Sequence, residues 1–303
     1  MLEYRNLEID SEKADRISVS IIIPAYNEEH IITRCLKAAY TQTVPAEEVI
    51  IVDNMSTDAT HSIVQRFIDE HKDYPGKIEV ITQNEVQGRA ETRDAGFNHA
   101  KSEVLGRIDA DSILSHDWVE KVKLAFSDDL VSAATGAVFY YDMPLRTVGM
   151  RADNSVRYIA SKMSRKYGFL FGTNMAIRAT AWQEIKDEVC PDYLDGIGVL
   201  HEDIDLGIHL SMHNLQIAYV GSMLVGMSAR RIEDSRKDYF TYTKRFSNTM
   251  NAHGIESAYF KIPQFFFNTI YFPVRGLKKA YNPYYEKRID GTYKMDLLGK
   301  RFR

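Results

Sequence analysis

The sequence predicts an α/β domain with a mostly parallel central sheet covered by helices on both faces. Short β-branched runs alternate with helix-period segments four times within about 110 residues, from Val19 to Phe126. Repeated strand–helix crossovers give that alternation. The runs are apolar at almost every position rather than at alternate ones, as befits strands buried on both faces. Each run also ends in polar residues, and ligands in such sheets bind beyond the carboxyl ends of the strands.

Val19-Ser20-Ile21-Ile22-Ile23 is the first strand, stopped by Pro24. From Glu29 to Tyr40, Ile31, Ile32, Cys35, Leu36 and Ala39 share one helical stripe. Val49-Ile50-Ile51-Val52 is the second strand, ended by Asp53-Asn54. Asp58 to His71 carries Ile63, Val64, Phe67 and Ile68 at helical spacing, with Ser56 or Asp58 as a cap. Ile78 to Ile81 is the third strand, and Gly88 to Ala100 a helix opening on glycine. Glu103 to Ile108 is the fourth strand, followed by a helix from Asp117 to Phe126. In the less regular second half, strands are expected over Ser132 to Tyr141 and Ile217 to Val225, and a helix from Asp203 to His213.

The chain has 303 residues, of which 45% are hydrophobic, enough for a large core without disulfides. The cysteines Cys35 and Cys190 are far apart in sequence. They suggest neither a disulfide framework nor a cysteine-based metal site, so a reducing compartment is the expectation. His209 and His213 have the spacing of paired ligands, but no His-Glu-x-x-His is formed, so a surface or packing role is expected. Residues 1–16 are polar, without a signal-peptide core, and no run approaches a membrane span. A cytoplasmic location follows as an expectation.

Net charge is −4 but uneven. Residues 261–303 hold ten Lys/Arg and three Asp/Glu, a net of +7, leaving −11 for the remainder. This basic tail also carries ten Phe/Tyr. Aromatic residues flanked by cations suit peripheral attachment to an anionic membrane surface. Packing on the catalytic domain or dimerisation are the alternatives. The acidic remainder argues against nucleic acid.

Asp109-Ala110-Asp111 ends the fourth strand. Residues i and i+2 of a strand face one side, so both carboxylates are expected to face one site. Such carboxylates bind Mg²⁺ or Mn²⁺, which in turn hold phosphates. Pro24-Ala25-Tyr26-Asn27, Asp53-Asn54 and Gln83-Asn84 end the other strands at the same edge. No Gly-x-Gly-x-x-Gly follows the first strand and no Walker lysine is present, which disfavours dinucleotide and P-loop folds.

Pro24-Ala25-Tyr26-Asn27-Glu28-Glu29, the segment from Val52 to Thr60, and Asp109-Ala110-Asp111 together resemble glycosyltransferase family 2. Gly172-Thr173-Asn174-Met175-Ala176-Ile177-Arg178 and His201-Glu202-Asp203-Ile204-Asp205-Leu206 match later motifs of that family in order. The resemblance spans about residues 17–231 and implies a GT-A fold, a nucleotide-sugar donor, a divalent metal and inversion at the anomeric carbon. It assigns residues 1–16 to an arm, 17–231 to the catalytic domain and 232–303 to an extension. It implies nucleotide binding by Pro24, Ala25, Tyr26, Glu28, Asp53, Gly88, Arg89 and Arg93. Asp109 would face ribose or metal across Ala110, and Asp111 would ligate Mn²⁺ or Mg²⁺. The catalytic base would be Asp203, with Glu202 as second choice. Gly172, Thr173 and Asn174 would line the acceptor pocket.

Three departures stand out. The usual Asp-Asp-Gly-Ser reads Asp53-Asn54-Met55-Ser56, and the usual Arg-Asn reads Arg93-Asp94. The Gln-x-x-Arg-Trp of processive members is missing; Ser228-Ala229-Arg230-Arg231 stands there, as in some non-processive members. One sugar per encounter is therefore expected, with Arg230 or Arg231 on the diphosphate oxygens. The expected donor is a uridine diphosphate sugar and the acceptor a glycan or lipid-linked chain in surface polysaccharide synthesis. The competing expectations are a nucleotidyltransferase, which would show a basic glycine-rich loop after the first strand, and a non-catalytic subunit or scaffold.

Overall fold

The computed structural model describes residues 2–3, 6–144, 149–151, 154–155, 166–255 and 261–289. In chain order the strands are β1 (Leu2–Glu3), β2 (Val19–Ala25), β3 (Glu48–Asp53), β4 (Lys77–Thr82), β5 (Val104–Ile108), β6 (Ile113–Leu114), β7 (Val131–Tyr140), β8 (Asn174–Arg178), β9 (Tyr193–Leu194), β10 (Gly198–Val199) and β11 (Gln216–Met227). The helices are α1 (Ser11–Arg16), α2 (Ile32–Tyr40), α3 (Thr60–Glu70), α4 (Arg89–His99), α5 (Trp118–Phe126), α6 (Ala179–Ile185), α7 (Glu202–Met212), α8 (Arg236–Ala252) and α9 (Lys261–Ile289).

One large sheet runs in the order β1-β11-β7-β8-β5-β2-β3-β4, with β6 added to β11. Pairing is parallel except at β8, which is antiparallel to both β5 and β7, and at β6. Strand alternation divides the core. Ile21, Ile23, Val49 and Ile51 face a layer with Leu36, Phe67 and Trp118 from α2, α3 and α5. Ile22, Ile50 and Val52 face the opposite layer, with Phe97, Trp182, Leu206 and Leu210 from α4, α6 and α7. Both faces of β2, β3 and β5 are thus covered, which is why their sequences read as unbroken apolar runs. The edge strand β4 is only half-buried.

Some boundaries differ from expectation for a local reason. The helix expected from Glu29 starts at Ile32, and the segment before it is tied to the loop after β3. Glu28 N–H donates to Thr60 Oγ1 at 2.7 Å and Glu29 N–H to Asp58 Oδ2 at 3.1 Å. Asp58, not Ser56, meets the start of α3, accepting from Thr60 N–H at 2.9 Å. Ser56 Oγ instead accepts from Asn27 N–H at 3.0 Å. The loops after β2 and β3 are therefore stitched together at the edge where ligands bind.

The described part of the expected N-terminal arm is built into the fold. β1 pairs in parallel with β11. Asp10 accepts from Lys13 N–H at 3.1 Å to cap α1, and Ala14 is buried. At the other end, α9 docks one face on α8 and the turn at Arg230–Glu233. Tyr271 is 1% exposed, its ring 4.6 Å from that of Tyr239, and Lys278 is buried 2.9 Å from Asp142 Oδ2. Residues 290–303 of the basic tail lie outside the described residues.

Helix α7 comes unusually close to the chain before β8. A Cβ on Gly207 would sit 2.7 Å from Gly168 O and 3.0 Å from Leu170 N. Only glycine allows that main-chain approach.

Candidate active site

The carboxyl ends of β2, β3 and β5 meet at one edge. Asp109 and Asp111 do not continue β5 as a strand, contrary to the expected i, i+2 geometry. The strand stops at Ile108, and Ser112 N–H closes a turn onto Asp109 O at 2.9 Å. Ala110 packs its side chain into the core, 4% exposed, and so spaces the two acids without facing a ligand itself.

Asp111 is 8% exposed and lies beside Glu28, with Arg230 between them. Arg230 Nε is 3.0 Å from Asp111 Oδ2, and its Nη1 donates to Glu28 Oε2 at 2.7 Å. Burial, then the charges of Asp109 and Glu28, push the Asp111 carboxyl up to about 7 despite Arg230. Crowded hard-oxygen donors of this kind suit a divalent cation. Among the described residues, no third His, Cys, Asp or Glu joins Asp109 and Asp111 in a compact donor cluster. A cation held by one or two carboxylates and substrate phosphates needs none. A cavity of about 230 Å³ opens here, lined by Asn27, Glu28, Ile31, Asp111, Ser228 and Arg230 among others. That is below the roughly 300–1,000 Å³ of whole small-molecule pockets.

Arg107 links this side to the acids of α7. It was unassigned from sequence, although a lone charge inside an apolar strand was its signal. The guanidinium is 4% exposed; Nη2 lies 2.9 Å from Asp109 Oδ1 and 3.2 Å from Glu202 Oε1. A Cβ on Gly172 would overlap it, so glycine there makes room. Burial alone would raise the Glu202 carboxyl, but Arg89, Arg107 and Arg93 outweigh it and hold it down at about 2. Glu202 is 4% exposed and engaged by arginines. Asp203 is less buried: its Oδ2 accepts from Gly172 N–H at 2.7 Å and its Oδ1 from Ile204 N–H at 2.9 Å. Each oxygen keeps a further acceptor site.

The Gly172-Thr173-Asn174 segment addresses both acids at once. Gly172 N–H holds Asp203, and Thr173 Oγ1 donates to Asp109 Oδ2 at 2.8 Å. Asn174 does not line a pocket as expected. It is fully buried, accepting from Trp118 Nε1 at 2.8 Å and donating to Ala137 O and Met223 O at 2.9 and 2.7 Å. Arg93 is likewise structural rather than nucleotide-facing: it is 1% exposed, and Nη1 donates to Glu202 O at 2.8 Å.

At the ends of β2 and β3, Tyr26 is 47% exposed, while Pro24 is half-buried and Ala25 buried. Asp53 is buried, with Ser56 N–H donating at 3.2 Å and His61 Nδ1 at 3.0 Å. The departure Asn54 has a physical account. Its Nδ2 donates to Gln83 O and Val86 O at 2.8 and 3.0 Å while Oδ1 accepts from Gly88 N–H at 2.9 Å, and a carboxylate could not donate. Met55 adopts φ 63°, the left-handed region that favours glycine. Asp192, also missed from sequence, accepts from Arg89 N–H at 2.6 Å and Ala90 N–H at 3.1 Å, closing the start of α4. Arg89 itself is 3.9 Å from Glu202. Arg231 turns away to Asp234 at 3.4 Å and lies over the Tyr242 ring at 4.3 Å.

A mostly parallel sheet with a carboxylate pair at one strand end and an acidic helix start opposite has the GT-A architecture. The chain belongs to glycosyl transferase family 2, whose family model matches residues 20–185; a second model, glycosyl transferase family group 2, matches residues 107–267. Glycosyltransferase AglE of Haloferax volcanii is 28% identical over 57% of this chain and 55% of its own length. Chondroitin synthase of Escherichia coli is 34% identical over 42% of this chain and 18% of its own. The chain thus spans about half, or less, of these curated relatives. Among solved structures, mannosyltransferase PcManGT from Pyrobaculum calidifontis, in complex with GDP-Man and Mn²⁺, shares the fold with a TM-score of 0.62 and 19% identity, over 95% of this chain and 79% of that one. S. aureus TarS in complex with UDP-GlcNAc gives 0.51 at 18% identity over 84% and 73%.

Folding depresses the Glu202 carboxyl, so its contribution to stability is complete above its ordinary value of 4.5 and is lost as pH falls toward about 2. Glu202→Gln breaks a buried ion pair, and the expected cost at neutral pH is about 3–5 kcal/mol. Denaturant titration should show the gap between wild type and variant closing through that window. A gap independent of pH would mean the arginines do not hold this carboxylate.

Proposed function

We propose that the chain is an inverting, metal-dependent glycosyltransferase that moves one sugar from a nucleotide-diphosphate sugar to a hydroxyl of a glycan or lipid-linked acceptor, in surface polysaccharide synthesis. The observation that carries this is the division of the site. In this reading Asp109, Asp111 and Arg230 serve its phosphate side and Asp203 its acceptor side, with Arg107 linking Asp109 to Glu202 beside it. The family membership and the donors named for the structural neighbours support it. A uridine diphosphate donor is the preferred one, and GDP-Man in one neighbour makes guanosine diphosphate its competitor.

Inversion needs a base on the face opposite the leaving diphosphate. Asp203 takes the acceptor proton; such general-base assistance is worth roughly 10²–10⁴ in rate. The Gly172 amide orients its carboxylate. The charges of Arg89 and Arg107 hold the Glu202 carboxyl low, which makes it the weaker proton acceptor and a positioning group in this reading. A Mn²⁺ or Mg²⁺ held by Asp109 and Asp111 would supply charge neutralisation for the leaving group. Arg230 adds charge-assisted hydrogen bonds there.

Asp203→Asn should lower kcat by about 10²–10⁴ with donor affinity unchanged. Unchanged turnover would remove the base assignment. Thermal-shift measurements with nucleoside diphosphates test the donor site. At about 100 times its dissociation constant a ligand adds roughly 2.7 kcal/mol, so the right nucleotide should raise Tm with Mn²⁺ and fail to do so in Asp111→Ala. No shift with any nucleotide would favour a non-catalytic subunit.

The extension is proposed to rest on an anionic membrane surface. No described helix is long and apolar enough to cross a membrane. The undocked side of α9 exposes Phe265, Phe272 and Leu277 beside Lys279, the mix of an interfacial helix. Anionic liposomes should retain the full chain at low salt and release it at high salt. Equal retention after truncation before Lys261 would refute this attachment.

A further inference from the structure

Outside the site above, four donors from three segments converge behind α7. Cys190 lies in the loop after α6, Asp205 and His209 are one turn apart on α7, and His253 follows the end of α8. One ligand atom from each lies within 4.8 Å of the others. The sequence pairs His209 with His213 by spacing instead, and the true neighbours Cys190 and His253 are far from it along the chain.

His209 makes the cluster more than a polar patch. It is 6% exposed, and neither ring nitrogen has a hydrogen-bond partner. Buried polar groups are rarely left so. Its Nε2 points at Asp205 Oδ1 from 3.7 Å, too far for a hydrogen bond. Donors sharing one tetrahedral zinc, with bonds of about 2.0–2.3 Å, sit roughly 3.3–3.8 Å apart. His253 Nε2 lies 2.7 Å from the same oxygen, so ion entry would part that pair by roughly 0.6–1.1 Å. The surroundings also fit. Asp205 Oδ2 accepts from Cys190 N–H at 2.9 Å, which leaves Oδ1 for the ion. His209 Nδ1 faces Glu188 Oε2 at 3.8 Å, an oxygen already 3.0 Å from His213 Nε2, so a small shift would let that carboxylate back a metal-bound histidine.

We propose that Cys190, Asp205, His209 and His253 form a structural site for a zinc-class divalent cation, separate from the carboxylates of the donor site. Two imidazoles and a thiolate select zinc or a similar late first-row metal over magnesium. Four protein donors leave no open position, so the ion would be structural. It would staple α7, which carries Asp203, to the end of α8 and to the loop whose Asp192 closes the start of α4.

The test uses the full chain stripped of metal by a chelator. One equivalent of Zn²⁺ should be taken up, and it should slow iodoacetamide alkylation of Cys190 by at least about tenfold, because a metal-bound thiolate is masked. Mg²⁺ should not protect. Co²⁺ should give tetrahedral visible bands with a thiolate charge-transfer band that Cys190→Ser abolishes. Asp111→Asn should retain the uptake, which separates this site from the donor site, whereas His209→Gln should lose it. Absence of Zn²⁺ protection in the wild type would overturn the proposal even if the variants fail to fold. Unchanged uptake in folded His209→Gln would do the same.

Discussion

The buried guanidinium of Arg107 is the interaction on which the site depends. A strand covered on both faces accepts a charge only when that charge is answered within a few ångströms. Here the answers come from Asp109, two residues on, and from Glu202, far along the chain. The sheet and the start of α7 are thereby held in one electrostatic arrangement. Gly172 is bare at the point where the guanidinium passes, so the same arrangement dictates a residue type on a third segment.

That third segment distributes order across the site. Adjacent residues speak to opposite sides: the Gly172 amide to Asp203 and the Thr173 hydroxyl to Asp109. Asn174 roots both in the core through Trp118, Ala137 and Met223. The spacing between Asp109 and Asp203 is thus set by main-chain geometry at the entry to β8. Its antiparallel register, with Asn174 opposite Ile108, brings the segment beside the end of β5.

Much of the fold was legible because doubly buried strands leave unbroken apolar runs and their helices leave periodic stripes. The strand ends were legible for the same reason, since polarity begins where the sheet stops. What was not legible depends on pairings between distant segments. Nothing local distinguishes Asn174 as a core anchor from a pocket residue; the antiparallel placement of β8 decides it. The family resemblance implies that Arg93 binds the nucleotide, yet its side chain folds back onto the Glu202 carbonyl. Asp109 and Asp111 were found in sequence, but a strand was assumed where the chain turns. Asp192 and the Cys190 cluster come from a loop with no periodicity to read. Asn54 and Met55 looked like erosion of a motif. In the structure one makes three hydrogen bonds that bind its loop together, and the other keeps the left-handed turn.

The near contact at Gly207 bears on how this framework can vary. Helix α7 rests there on the backbone of residues 168–170, with no side chain as cushion. The depth of the helix is therefore gauged by peptide against peptide, a surface common to every residue type. The buried Leu206, Ile208 and Leu210 then pack around a stop already set by main chain. A side chain at position 207 would lift the whole helix, and with it the acids Glu202 and Asp203 at its start.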